Sequence, residues 1–376
     1  MLFFLAFFTI YLTMHIFTWF RFCSQLSISP RRAKLGYITC VILAITPVLA
    51  HLLPISWPQG IVYLFWQLTF TWLAVIFYLF VFQLLIFLIQ TVLWPFIKPK
   101  WPVISSWVAY STVLVCFALV GYGFVEAARL PKVVEYEFES SKVSKDFKLV
   151  FLSDLHLGVQ KSSTRLRKII DLIENQEADL VIFGGDVVND HLEWLEDEAM
   201  QIKSLKVPLG KYGVLGNHEF YPGIDKSMEL FRQSEIIILD NEKEDLDDLN
   251  LTLAGVSDPT PYRTPREHQE EVTRRLLRGI DENRFNLLVS HRPWGFEHAA
   301  RAGVDLHLAG HTHNGQLFPF RYFVQLQFEH IYGLYKQCES RLIVTSGAGS
   351  WGPPVRVLSP PEIVVVKIIL VSDQEK

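Results

Sequence analysis

The sequence predicts a multi-span α-helical membrane region followed by a soluble α/β domain. Three observations carry this. No residue between Lys34 and Lys98 is formally charged, a run of 63 residues that a water-soluble domain does not leave. Charge also divides the chain. Residues 1–130 hold seven basic residues and one acid, a net of +6, and the remainder holds 28 basic and 38 acidic residues, a net of −10. Beyond residue 131, short β-rich apolar runs recur with helical patterns between them.

Half of the 376 residues are apolar and 14% are aromatic, which excludes a disordered or collagen-like chain. A formal net charge of −4 gives no nucleic-acid footprint, and no nucleic-acid partner is expected. Four cysteines without a CxxC pair exclude a disulfide scaffold and a thiolate zinc site.

Four spans are predicted, near 2–20, 36–55, 61–94 and 105–125. The first lacks the basic lead of a signal peptide. The third run has 34 residues, about 51 Å as one helix. That exceeds a hydrocarbon core of about 30 Å, so it must tilt, protrude or break, and a break would invert everything after it. Basic loops at 21–35 and 95–104 are expected on the cytoplasmic side. With four spans both the N-terminus and the C-terminal domain then lie outside, in a multi-pass plasma-membrane protein. His15 and His51 read as neutral histidines near an interface rather than a proton relay.

In the second part, Val133–Glu139 alternates as an edge strand. Strands are expected at 148–153, 179–184, 211–215, 235–239, 251–255, 285–290, 305–309, 341–346 and 362–370. Leu166, Ile169, Ile170 and Ile173 form a helix face after the capping signal Ser162-Ser163-Thr164. Glu242–Asp248 reads as a solvated acidic face.

Polar residues mark the strand ends. Asp154 and His156 follow one strand, and Asp186 the next. Asn217 and His218 follow a third, His291 a fourth, and His311 and His313 a fifth. Strand C-terminal ends are where α/β sheets place ligands. Carboxylate, imidazole and amide donors without a thiolate suit two divalent metal ions, with Mn²⁺ favoured and Zn²⁺, Fe²⁺, Co²⁺ or Ni²⁺ as alternatives. Such a pair binds phosphate and supplies hydroxide near neutral pH.

Asp154-Leu155-His156, Gly185-Asp186, Gly216-Asn217-His218-Glu219, Ser290-His291 and Gly310-His311-Thr312-His313 occur in the order of the calcineurin-like metallophosphoesterase superfamily, which the chain resembles. Flanking residues Ala254–Pro259, Gly315-Gln316, Gly333-Leu334-Tyr335 and Ser346–Pro354 resemble a membrane-bound branch that includes UDP-2,3-diacylglucosamine pyrophosphatase-like enzymes. The resemblance covers about residues 145–370. It implies a four-layer sandwich, two sheets flanked by helices, for residues 131–376, after a transmembrane region of about four helices in 1–130. It further implies that Asp154, His156 and His313 hold one metal and that Asn217, His291 and His311 hold the other. Asp186 would bridge them, and His218 would face the leaving oxygen as general acid or charge stabiliser. The family usually has an acid three residues after the bridging Asp. Here that position is Asn189, followed by Asp190, so the duty of orienting His218 is weakened or shifted.

Other residues read more plainly. Glu219, Tyr221 and Asp258 serve either the site or local hydrogen bonding. Arg292 is a candidate phosphate grip or a surface arginine. His307 reads as a packed strand residue, and His191, His268, His298 and His330 as solvated. Gly347–Gly352 matches GxGxxG, but Pro353-Pro354 follows, so no helix opens there; its glycines suit a tight loop near the metals instead. Asn250-Leu251-Thr252 matches a glycosylation acceptor but falls in a predicted strand, and no P-loop or nucleophile elbow is present.

The expected function is a membrane-anchored dinuclear-metal phosphoesterase acting by hydroxide held between the metals. Its expected partners are the lipid bilayer and a phosphate ester, lipid-linked or of the envelope. The alternatives are a nucleotide-sugar-lipid pyrophosphatase, a metal-binding scaffold or receptor with weak catalysis, and a transporter with a regulatory phosphatase-like domain, which the absence of intramembrane acids disfavours.

Overall fold

The computed structural model describes residues 2–54, 56–158, 163–189 and 192–371, with side chains from residue 5 onward. Ser162 of the capping signal, Asp190 and His191 lie outside the described residues. Two compact units divide the chain, one of residues 1–125 with 352–357 and one of residues 126–351 with 358–376.

The first unit is built on four helices: α1 (Leu2–Gln25), α2 (Pro30–His51), α3 (Gln59–Ile97) and α4 (Trp101–Ala128), whose last turn runs into the second unit. All four are long and apolar enough to cross a membrane. Pro30 opens α2 at a position where its missing N–H costs nothing. The 34-residue run is one unbroken helix within α3, whose 39 residues span about 58 Å. Of the choices tilt, protrude or break, the break is absent. Tyr11, Met14, Ala44 and Ile76 form a small core between α1, α2 and α3. Polar side chains join helices where water is scarce. Gln25 and Gln83 exchange two amide hydrogen bonds of 3.0 Å, and Ser105 Oγ donates to Gln25 O at 3.1 Å. Trp72 Nε1 donates to His15 Nε2 at 2.8 Å, so the His15 proton sits on Nδ1 and goes to Tyr11 O, also at 2.8 Å. Both ring nitrogens are thus engaged within the helices, in one fixed tautomer. His51 packs edge-on against Trp66. The segment 352–357 is tied to this unit by Arg356 N, which donates to Gly123 O at 3.0 Å.

The second unit holds two six-stranded sheets. Its strands are β1 (Lys132–Ser140), β2 (Phe147–Leu152), β3 (Leu180–Phe183), β4 (Lys211–Gly213), β5 (Ile237–Ile238), β6 (Glu242–Leu246), β7 (Leu251–Val256), β8 (Phe285–Ser290), β9 (Leu306–Ala309), β10 (Gly333–Gln337), β11 (Ser340–Val344) and β12 (Glu362–Leu370). Its helices are α5 (Ser163–Glu174), α6 (Glu196–Ser204), α7 (Ile224–Gln233), α8 (Pro265–Leu276), α9 (Phe296–Arg301) and α10 (Arg321–Val324). One sheet runs β1-β12-β2-β3-β4-β5 and the other β10-β11-β9-β8-β7-β6. Strands β2 to β5 are parallel, as are β7, β8, β9 and β11.

Strand periodicity explains the layering. On β2, Leu149 and Phe151 point between the sheets, among Ile182, Leu253, Val289 and Val364. Val150 and Leu152 point the other way, into a core shared with Leu166, Ile170, Ala199 and Phe231 of α5 to α7. On the second sheet, Ala254 and Leu288 pack with Val272 of α8 and Ala299 of α9. Helices therefore cover both outer faces, and the unit is a four-layer sandwich, two sheets between helices.

Two strands were not expected. The acidic run is the edge strand β6, paired antiparallel with β7. Its backbone bonds one side of the sheet while Glu242, Lys243 and Asp245 are exposed, a common way of blunting an edge; half-buried Glu244 accepts Tyr212 OH at 3.0 Å. Strand β10 closes the other edge against β11.

Candidate metal centre

Five loops leave the C-terminal ends of parallel strands on the two sheets, after β2, β3, β4, β8 and β9. They bring Asp154, His156, Asp186, His218, His291, His311 and His313 into three overlapping groups of potential ligands. The first is Asp154, His156 and His313; the second is Asp186, His291 and His311; the third joins His156, Asp186 and His218. His156 Nε2 and His313 Nε2 stand 3.1 Å apart, and His313 Nε2 lies 3.3 Å from Asp154 Oδ1. In the second group, His291 Nε2 is 3.2 Å from Asp186 Oδ2 and 3.1 Å from His311 Nδ1. Asp186 Oδ2 is also 3.9 Å from His156 Nε2 and 4.0 Å from His218 Nε2. One carboxylate thus stands between the groups.

The donor set suits a divalent metal. Imidazole nitrogens and carboxylate oxygens converge on one another, the ligand atoms that a divalent cation takes. Asp154 Oδ1 and Asn217 Oδ1 are buried and accept no hydrogen bond among the described residues. An acceptor left bare in this way is costly unless a cation satisfies it.

The backbone is bent to make this convergence. Asp154, His156, Asp186, His311 and His313 all have φ between +47° and +69°. Non-glycine residues rarely adopt this left-handed region, and such strain collects at functional sites. Gly216 allows the β4 loop to press on the β3 loop, because an added Cβ would overlap the backbone N and Oδ1 of Asp186. Gly347, at φ +81°, lies against the Asp154 side chain, so the glycine-rich segment is a tight loop beside the site.

Neighbouring groups orient the donors. His291 Nδ1 donates to Gly184 O at 2.8 Å, which turns Nε2 toward Asp186. Asp154 Oδ2 accepts His311 N at 3.1 Å, and Asp186 Oδ1 accepts His218 N at 2.8 Å. Asn217 Nδ2 donates to Tyr221 OH at 3.0 Å, which leaves Oδ1 facing away from that bond. Sequence reasoning left Glu219 undecided, and the structure makes it the tie between two loops. Its buried carboxylate accepts four backbone N–H bonds, from Asp186 at 3.0 Å, Val187 at 2.8 Å, Val188 at 3.1 Å and Gly216 at 2.6 Å. Asp258 holds Arg292 through Nε at 2.5 Å and Nη2 at 3.2 Å, over the face of Trp294. Arg292 is therefore a restrained, half-buried group and not a free surface arginine.

Electrostatics in the metal-free chain follow from burial and proximity. Burial raises Asp154 to about 6 against the pull of His291. Burial would also raise Asp186, but His291, His218 and His156 overcome it and hold the carboxyl well below its usual range. His291 would be lowered by burial; Asp186 beside it prevails and lifts it to about 10. Burial, then Arg292 and His291, push His311 well below the ordinary imidazole value. Glu219 is pushed up to about 7 by burial and by Asp186, against its backbone donors. His307 is buried on β9, bonded to Ser290 Oγ at 2.8 Å and lowered to about 3 by burial, so it is a neutral packing residue. His268, His298 and His330 are partly buried rather than solvated: His268 stacks on Tyr262, His298 meets Glu270, and His330 packs against Tyr335.

A two-sheet sandwich with a His/Asp cluster across its strand ends fits the class of metal-dependent hydrolases. The model of the calcineurin-like phosphoesterase family matches residues 147–315. A Helicobacter pylori (strain J99) protein named Uncharacterized metallophosphoesterase is 33% identical over 257 residues, covering 67% of this chain and 68% of that protein. An Aquifex aeolicus protein of the same name is 33% identical over 261 residues, 68% of this chain and 98% of that one. A Danio rerio protein named Transmembrane protein with metallophosphoesterase domain is 30% identical over 264 residues, 67% of this chain and 60% of that one. The chain belongs to the calcineurin-like metallophosphoesterases, and its four apolar helices mark it as a membrane protein.

Proposed function

We propose that the protein is a membrane-anchored phosphoesterase with two divalent ions per chain, hydrolysing a phosphate ester presented at a membrane or envelope. The observation that carries this reading is the Asp186 carboxylate standing between two ligand groups. Asp154, His156 and His313 would hold one ion and Asn217, His291 and His311 the other, with Asp186 shared. Mn²⁺ is the favoured ion, with Zn²⁺, Fe²⁺, Co²⁺ and Ni²⁺ as alternatives. Bound there, such ions would supply charge neutralisation of the phosphoryl oxygens and a nucleophilic hydroxide near neutral pH.

The protein groups supply position and protons. Glu219 keeps the Asp186 and Asn217 loops in register. Tyr221 fixes the flip of the Asn217 amide. His218 Nε2 would give a proton to the departing oxygen. Its ring packs edge-on against His156 and Tyr221, which limits its rotation. Arg292, restrained by Asp258, would meet a non-reacting phosphate oxygen. Asn189 would orient His218 by a hydrogen bond without charge, a duty that the sequence alternatively offers to the acid at the next position. The basic loops favour the catalytic unit outside the plasma membrane. A nucleotide-sugar-lipid pyrophosphatase is the second reading, supported by the flanking residues that resemble that branch.

The test strips the full-length protein of metal in detergent and restores Mn²⁺, Zn²⁺ or Mg²⁺. An aryl phosphomonoester and a phosphodiester are then offered to wild type and Asp186→Asn. Metal-dependent turnover that the variant loses is expected. Metal-independent turnover, or turnover unchanged in the variant, would overturn the reading.

A further inference from the structure

The segment after the last histidine motif is aromatic on its outer side. Phe318, Phe320, Tyr322, Phe323 and Leu326 are all solvent-exposed within nine residues, from 36% for Phe318 to 85% for Leu326. The rings pair, Phe318 with Tyr322 and Phe320 with Phe323, each at 5.8 Å between centroids. A monomeric soluble surface rarely keeps such a cluster bare. The segment is also firmly seated. Phe328 is buried, stacks on Trp294 at 5.1 Å and meets the His311 ring edge-on at 5.2 Å. Gln316 Nε2 donates to Trp351 O at 2.8 Å, and Trp351 N donates to Gln316 Oε1 at 2.9 Å. The exposed rings are thus held out on a base that touches the metal-ligand turn.

We propose that Phe318–Leu326 is an interfacial docking element that seats the phosphoesterase unit on the headgroup layer of a bilayer, bringing lipid-borne phosphate to the His311–His313 turn. The occupant is a bilayer for three reasons. The same chain carries four helices long enough to cross one. Only Arg129, Leu130 and Pro131 separate α4 from β1, a tether of about 10 Å. The segment has the chemistry of an interface: phenyl and phenol rings, one cation in Arg321, and no acid between Asp305 and Glu329, which suits an anionic headgroup surface. The lipid-borne substrate rests on the proposed function; the docking does not.

The test uses the full-length protein, with Cys23→Ser and Cys338→Ser, in nanodiscs of phosphatidylcholine and phosphatidylglycerol. An environment-sensitive fluorophore is placed at Leu326→Cys and, as control, at exposed Met200→Cys on α6. Docking predicts blue-shifted emission at position 326 and quenching by spin-labelled lipid, with neither at position 200. Aqueous emission at both positions, or shielding at 326 that spin-labelled lipid does not quench, would overturn it; the second result would assign the face to a protein partner. A kinetic arm tests substrate selection separately. The triple variant Phe318→Ser, Phe320→Ser, Phe323→Ser should keep its rate on a soluble aryl phosphodiester within about twofold. Its rate on phosphatidic acid in vesicles should fall roughly tenfold or more. Equal loss on both substrates, or no loss on vesicles, would refute selection by docking. A wild type inactive on both would instead refute the proposed function, while the fluorescence result would stand.

Discussion

Replacing Glu219 by Gln should loosen the metal centre without touching a metal ligand. In the wild type each carboxylate oxygen accepts two backbone N–H groups, Oε2 from Asp186 and Gly216 and Oε1 from Val187 and Val188. Glutamine keeps one carbonyl oxygen and turns an NH₂ toward the other pair, so two buried donors lose their acceptor. Each unsatisfied group costs about 1–3 kcal/mol, for roughly 2–6 kcal/mol in total. The affected loops carry Asp186 and Asn217, so the cost falls on the arrangement proposed to bind metal. Even about 2 kcal/mol would weaken metal affinity about 30-fold. Metal titration of the stripped full-length protein measures this, with thermal unfolding in parallel. Glu219→Asp keeps the charge but is one methylene shorter, and should fall between wild type and Gln. Wild-type metal affinity and thermal midpoint in Glu219→Gln would refute the role given to this carboxylate.

Other expectations follow from the same geometry. Gly216→Ala should cost about 1–3 kcal/mol, because its Cβ would overlap Asp186; loss of metal-dependent turnover checks it, and turnover within about twofold of wild type would contradict it. His218→Ala should retain metal and lose about 10²- to 10⁴-fold in kcat, more for an alkoxide leaving group than for a nitrophenolate. Equal loss with both leaving groups would argue against proton donation. Metal loading should release protons. His291, lifted to about 10, is protonated in the metal-free chain at neutral pH and must lose that proton to bind metal. Affinity should therefore rise with pH up to about 10, the folded value of this group. Calorimetry in buffers of different ionisation enthalpy would show one proton taken up by buffer; a heat independent of buffer would contradict the Asp186–His291 pair.

Much of the architecture was legible because each part leaves a direct physical trace. Uncharged runs of span length announced the helices, and alternating runs closed by Asp, Asn or His announced the strands and the edge where they converge. Glu242–Leu246 was illegible as a strand because an edge strand facing water needs no apolar alternation. The continuity of α3 was undecided because 34 apolar residues fit either one protruding helix or two short ones. Around the metal centre, residue types at strand ends could be read, but the left-handed backbone at Asp154, His156, Asp186, His311 and His313 could not. Nothing in one sequence reports which φ a close approach will force. Glu219 was ambiguous for a related reason, since its four partners are backbone groups common to every residue. Arg292 likewise depended on Asp258, 34 positions away.

In the proposed function one carboxylate, Asp186, is shared by two metal sites. Counting metal bound per folded full-length chain by equilibrium dialysis with Mn²⁺ and elemental analysis tests it most directly. Two ions per wild-type chain, with both sites weakened in Asp186→Asn, is the predicted result. A single ion per folded chain, or two that persist with unchanged affinity in Asp186→Asn, would contradict it.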